Sequence, residues 1–153
     1  MIEYYSMDSI SRAIATLFYV GYIPFAPGTL GTFAGMLFIW LMRPSMPWQA
    51  FILSGVCIIG VITAGIAEKS FGEKDSQYIV IDEFAGYLCS VIFLPLTPII
   101  MLAAFVLFRF FDIIKPPPIC LFERIKGGAG IMLDDIAAGL ITNVILQICV
   151  VLF

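Results

Sequence analysis

The chain has 153 residues, 61% of them hydrophobic and only 12% charged, with a net charge of −3 and no histidine. Soluble domains carry about 25% charged residues, so this composition excludes an ordinary water-soluble fold. The negative net charge argues against nucleic-acid binding, which needs a basic face. The missing histidine excludes phosphatases with a histidine nucleophile and the usual histidine metal sites.

Apolar runs punctuated by proline and glycine follow one another along the chain. Ser9 to Tyr22 is a short apolar helix carrying Arg12. It is too short to span a bilayer alone, and it either lies in the interface or completes a span. The segment Ile23-Pro-Phe-Ala-Pro-Gly-Thr-Leu-Gly-Thr32 reads as a loop, because two prolines and two glycines disfavour helix. Leu30 to Met42 is the next helix, ended by Arg43-Pro-Ser-Met-Pro47. Trp48 to Ala67 is a full span, with Trp48 suited to an interface.

Glu68 to Gln77 is the first polar loop. Ile79 to Leu94 is apolar except for Asp82 and Glu83, and Ile99 to Ile114 is apolar except for Arg109 and Asp112. Between them Pro95-Leu-Thr-Pro98 predicts a turn, so the two runs form a hairpin. Lys115-Pro-Pro-Pro118 stops the second run. Glu123 to Gly130 is a glycine-rich loop, and Asp134-Asp135 open a last helix running to Phe153. The expected architecture is a single membrane-embedded domain, residues 1–153, all-α, with about five or six helices in a compact bundle and a Pro-turned hairpin near residues 79–114.

With the hairpin, every polar motif falls on one side of the membrane. Lys69, Lys74, Arg109, Lys115, Arg124 and Lys126 lie on that side and Arg43 alone on the other. The positive-inside rule then places the motif side in the cytoplasm. The four cysteines, Cys57, Cys89, Cys120 and Cys149, form no CxxC pair, and read as reduced thiols.

Ionisable groups at membrane depth cost about 2.5 kcal/mol or more each on insertion scales, so they imply a function or a partner. They form three clusters here. Asp82 and Glu83 are adjacent carboxylates, suited to a hard divalent cation or simply to a helix N-terminus. Arg109, Asp112 and Lys115, spaced by three, share a helical face. They make either an internal ion-pair ladder or a cationic cradle for phosphate, with Asp112 a ligand or an orienter. Gly127-Gly-Ala-Gly130 before Asp134-Asp135 puts backbone N–H groups, Gly128 among them, near two more acids. Asp75 is a weaker member in the preceding loop. The loop from Pro24 adds donors from Thr29 and Thr32 and from the backbone near Gly28 and Gly31.

A phosphomonoester needs a metal and cationic donors to bind, and an in-line water to be hydrolysed. The inventory on this one face fits that need. No cysteine has an arginine six residues on, and no Asp-x-Asp occurs, so the cysteine-phosphatase and haloacid-type routes are absent. A small cation transporter or channel using the same acids is an alternative. So is a headgroup transferase of the CDP-alcohol type, although its spaced aspartates with Asp-Gly and Ala-Arg pairs are not found.

Four segments carry a resemblance. They are Pro24-Phe-Ala-Pro-Gly-Thr-Leu-Gly-Thr32, Ile79-Val-Ile-Asp-Glu-Phe-Ala-Gly86, Leu107-Phe-Arg-Phe-Phe-Asp-Ile-Ile-Lys-Pro-Pro-Pro-Ile119 and Gly127-Gly-Ala-Gly-Ile-Met-Leu-Asp-Asp-Ile-Ala-Ala-Gly139. In this order they resemble bacterial phosphatidylglycerophosphatase A. The resemblance implies an inner-membrane, Mg²⁺-dependent phosphatase that converts phosphatidylglycerophosphate to phosphatidylglycerol and phosphate, the last step of phosphatidylglycerol synthesis. It places the family's motif acids on Asp75, Asp82, Glu83, Asp112, Asp134 and Asp135, and its basic residues on Arg109 and Lys115. Glu123 stands where the family pattern has an aspartate, and is left out of the site. Within this reading Asp82, Glu83, Asp134 and Asp135 hold one or two Mg²⁺ ions. Arg109 and Lys115 bind the terminal phosphate, and Asp112 or Asp75 orients a group or acts as base.

Overall fold

A computed structural model describes residues 2–73, 76–122 and 124–152, with side chains described from residue 7 onward. The described residues are helical with no strand. In chain order the helices are α1 (Ile2–Ala15), α2 (Pro27–Met42), α3 (Met46–Phe71), α4 (Ile81–Val91), α5 (Pro98–Ile114), α6 (Ile119–Phe122) and α7 (Gly128–Leu152), with a 3₁₀ turn at Val20–Tyr22. The all-α expectation holds, and Pro95 to Pro98 do turn the chain between α4 and α5. The short α6, inside the stretch after Lys115, was not expected.

Helices α3 and α7, of 26 and 25 residues, are long and apolar enough to cross a membrane. At 1.5 Å per residue each exceeds the ~30 Å hydrocarbon core. Large apolar side chains cover their outer faces: Phe51, Ile58 and Ile62 on α3, and Leu140, Val144 and Val151 on α7, are exposed. In water this would be unfavourable; in lipid it is the expected surface. The chain is an all-α membrane protein.

Three boundaries differ from the sequence reading. The first helix is α1, ending at Ala15, and residues Leu17, Phe18 and Tyr19 take positive φ. The expected loop up to Thr32 is helical from Pro27 onward. Proline at the first helical position costs no hydrogen bond, because that N–H has no intrahelical partner. The last helix begins at Gly128, well before Asp134.

Helix α4 is the hub, packed against α2, α3, α5 and α7. Its contact with α7 is backbone on backbone. A Cβ added at Gly139 would run into the Gly86 carbonyl oxygen, and one at Gly86 would lie 2.9 Å from the Asp135 carbonyl oxygen. Glycine therefore sets the spacing of this pair, as small residues do between membrane helices. Around it Tyr87, Phe108, Val91, Met101 and Ala138 form the core, and the Tyr87 hydroxyl donates to the Met101 carbonyl at 3.0 Å.

At 11 residues, α4 rises only about 16 Å and stops inside the bundle. Irregular backbone at that depth must be satisfied by protein. The Asn143 amide of α7 donates to the carbonyls of Ser90 (3.1 Å) and Ile92 (2.8 Å). The Phe93 N–H donates to Gln49 Oε1 of α3 at 2.9 Å. Two amide side chains thus do the work that water does at the end of a soluble helix.

Candidate metal and phosphate site

The other end of α4 carries the chemistry. Asp82 and Glu83 occupy its first turn. Asp135, about two turns into α7, reaches the same point because the Gly86–Gly139 contact draws the helices together. Carboxylate oxygens of Asp82, Glu83 and Asp135 lie within 4.8 Å of one another. Asp82 and Asp135 are only 7% and 3% exposed. Three carboxylates this close, out of water, cannot all stay charged unless a cation sits among them.

The basic groups come from α5. Arg109 Nη1 hydrogen-bonds Asp112 Oδ2 and lies 3.8 Å from Glu83 Oε1. Lys115 Nζ donates to Asp134 Oδ2 at 2.6 Å. Lys115 takes positive φ at the end of α5, and this reversal accompanies its reach across to α7. The gathered acids, Asp82, Glu83, Asp112, Asp134 and Asp135, outnumber Arg109 and Lys115 five to two. Among the atoms buried without a hydrogen-bond partner are Glu83 Oε2, Asp135 Oδ2 and Arg109 Nε. Two are acceptors and one is a donor. Oxygen-only donors at this spacing suit a hard divalent cation, and the remaining donor suits an anion beside it.

Helix α2 closes the site with its first turn. A Cβ at Gly28 would meet Glu83 Oε1, and would lie 3.1 Å from Arg109 Nη1. A Cβ at Gly31 would lie 2.8 Å from the Val80 carbonyl oxygen. Both glycines are thus close-approach positions. The N–H groups of Gly28 and Thr29, in the first helical turn, have no intrahelical acceptor and carry the positive end of the helix dipole.

Several expected site residues make contacts within the protein. Asp134, expected among the metal ligands, pairs with Lys115, and its Oδ1 accepts the Asp135 N–H at 3.1 Å. The Thr32 hydroxyl, expected to serve phosphate, is buried and donates to the Gly28 carbonyl at 2.9 Å. Gly128 is buried where a Cβ would strike the Val61 carbonyl of α3, so it serves helix packing. Asp112 pairs with Arg109 and lies beside Asp135. Asp75, Lys74 and Glu123 lie outside the described residues. Gln49 and Asn143, uncharged amides inside otherwise apolar spans, carry little signal in the sequence.

The comparisons with known proteins agree with the motifs. A family model described as phosphatidylglycerophosphatase A matches residues 13–150. Escherichia coli phosphatidylglycerophosphatase A is 41% identical over 145 residues, covering 92% of this chain and 83% of the relative. The Haemophilus influenzae protein of the same name is 37% identical, covering 83% and 80%. A Bacteroides thetaiotaomicron protein, provisionally named a phosphatidylinositol-3-phosphatase, is 32% identical, covering 88% and 90%. No solved structure matches.

Proposed function

We propose that this chain, which belongs to the phosphatidylglycerophosphatase A family, hydrolyses phosphatidylglycerophosphate to phosphatidylglycerol and inorganic phosphate. One observation carries the site assignment. Three carboxylates from two helices converge within 4.8 Å, beside an arginine whose Nε is buried without a partner.

Asp82, Glu83 and Asp135 are the residues to hold Mg²⁺, with Asp134 fixing the backbone next to Asp135. Bound there, the ion supplies neutralising charge and Lewis-acid polarisation of a phosphoryl oxygen. The chain's own groups do the rest. Arg109 is oriented by Asp112 and donates to the terminal phosphate. Lys115 adds a second positive charge, anchored by Asp134. The first turn of α2 offers the Gly28 and Thr29 N–H groups to the same anion. The products are the lipid alcohol and phosphate, with water's oxygen ending on phosphorus.

The charge asymmetry of the loops supports a multi-pass chain in the bacterial cytoplasmic membrane with this site on the cytoplasmic side. The transporter alternative calls for acids spread through the membrane, and the five acids here gather in one place.

The test is phosphate release by the detergent-purified chain from phosphatidylglycerophosphate, with Mg²⁺ and with a chelator. Phosphatidylinositol 3-phosphate and phosphatidic acid are run beside it. Metal-dependent release from phosphatidylglycerophosphate supports the reading. Release from phosphatidylinositol 3-phosphate alone replaces the substrate, and no release from folded protein overturns the reading.

A further inference from the structure

Helices α2 and α5 run antiparallel. The first turn of α2 meets Arg109 near the end of α5, and the later turns of α2 face the start of α5. They separate there. Phe33, Met36, Leu37 and Trp40 of α2 and Pro98, Met101 and Leu102 of α5 line a groove of about 180 Å³ with almost no polar surface. Phe33, Leu37, Trp40 and Leu102 are 47%, 44%, 43% and 60% exposed, so the groove opens outward to lipid.

The position of the groove relates it to the phosphate end. At 1.5 Å per residue, Phe33 lies about 8 Å and Trp40 about 18 Å along the helix axis from Gly28. On α5, Leu102 lies about 10 Å from Arg109. The groove therefore starts one headgroup's length from the phosphate-binding groups, on the same two helices, and runs away from them into the membrane. A second dent at Ile99, Leu102, Ala103, Val106 and Leu107 has walls from α5 alone, so α2 and its first turn take no part in it.

We infer that the α2–α5 groove seats one acyl chain of the phospholipid whose terminal phosphate is bound at Arg109 and the first turn of α2. This rests on the lipid phosphatase reading above. The acyl chain holds the substrate in register along the seam, so binding in the apolar groove sets where the phosphate arrives.

The experiment fills the groove. Leu37→Trp and Leu102→Trp, one on each wall, are compared with Val144→Trp on the exposed face of α7. Each variant is assayed with long-chain phosphatidylglycerophosphate in mixed micelles and with its deacylated, water-soluble counterpart. The expected result is a KM for the long-chain lipid raised about tenfold in either groove variant with kcat within about twofold, the pattern of lost uniform binding. Kinetics on the deacylated substrate stay at the wild-type level, and Val144→Trp behaves as wild type. A variant that lost its fold would lose both substrates equally, so activity on the deacylated substrate reports folding in the same assay. Unchanged long-chain kinetics in both groove variants, or equal loss from Val144→Trp, would overturn the assignment and leave the groove to bulk lipid. A wild-type chain inactive on both substrates would overturn the functional reading, and this inference with it.

Discussion

The two helix pairs that meet at the site are built on opposite principles. Helices α4 and α7 touch backbone to backbone through Gly86 and Gly139. At Gly139 the nearest atom is the Gly86 carbonyl oxygen, backbone that cannot swing aside, and this contact sets where Asp135 stands relative to Asp82 and Glu83. Helices α2 and α5 meet near Gly28 through the end of the Arg109 side chain and, farther along, line an apolar groove. The rigid pair suits metal ligands, whose geometry tolerates little error. The open pair suits a flexible lipid, whose chains vary.

Breaking the rigid pair's chemistry has the largest expected effect. Asp135→Asn keeps the volume and removes the charge. Losing even an outer-shell partner of a metal typically costs 10–100-fold, so phosphate release falls more than about 100-fold, while detergent-solubilised protein elutes as wild type. Wild-type turnover in this variant would remove Asp135 from the site.

Gly139→Ala breaks the spacing of the same pair. The new Cβ meets the Gly86 carbonyl, a backbone atom, so the helices must separate. Overpacking of this kind costs about 1–3 kcal/mol. Displacement of Asp135, one turn away, carries activity down by more than about tenfold. A thermal melt and a turnover assay check both halves.

Gly28→Ala gives the contrasting result on the open pair. Its Cβ meets the Glu83 carboxylate and the Arg109 guanidinium, which are ends of side chains and can move. Activity falls by about tenfold, with the melting temperature nearly unchanged. A large drop in melting temperature here would erase the distinction between the two pairs.

The smallest effect on activity is expected at the far end of α4. Asn143→Leu leaves the Ser90 and Ile92 carbonyls without their amide donor. Hydrogen bonds inside membrane bundles are worth about 0.6–2 kcal/mol, so stability drops by about that much and turnover stays within about twofold.

These residues also show what the sequence made legible. Asp82, Glu83, Arg109, Asp112, Lys115 and Asp135 stood out because a charge in an apolar run needs a reason. The hairpin stood out because Pro95 and Pro98 interrupt one long run. The same logic misjudged the start of α2. Pro27, Gly28 and Gly31 look like helix breakers, yet Pro27 sits where a proline costs nothing and the glycines admit a neighbouring helix. The sequence could not separate Asp134 from Asp135 either. Adjacent helical positions point about 100° apart, and only the packing of α7 on α4 turns Asp135 to the carboxylates and leaves Asp134 to Lys115. Gln49 and Asn143 stayed hidden because an uncharged amide within a span reads as part of the helix until the end of α4 is seen beside it.

On the proposed assignment, Asp82, Glu83 and Asp135 form one divalent-cation site. Binding of Mn²⁺, as a paramagnetic stand-in for Mg²⁺, tests it without relying on turnover. Detergent-purified wild-type chain and the Asp82→Asn, Glu83→Gln and Asp135→Asn variants would be titrated and followed by electron paramagnetic resonance. The wild type is expected to bind Mn²⁺ saturably, with Mg²⁺ displacing it, and each substitution to weaken that binding by about tenfold or more. Equal binding in all four proteins, or none in folded wild type, would contradict it.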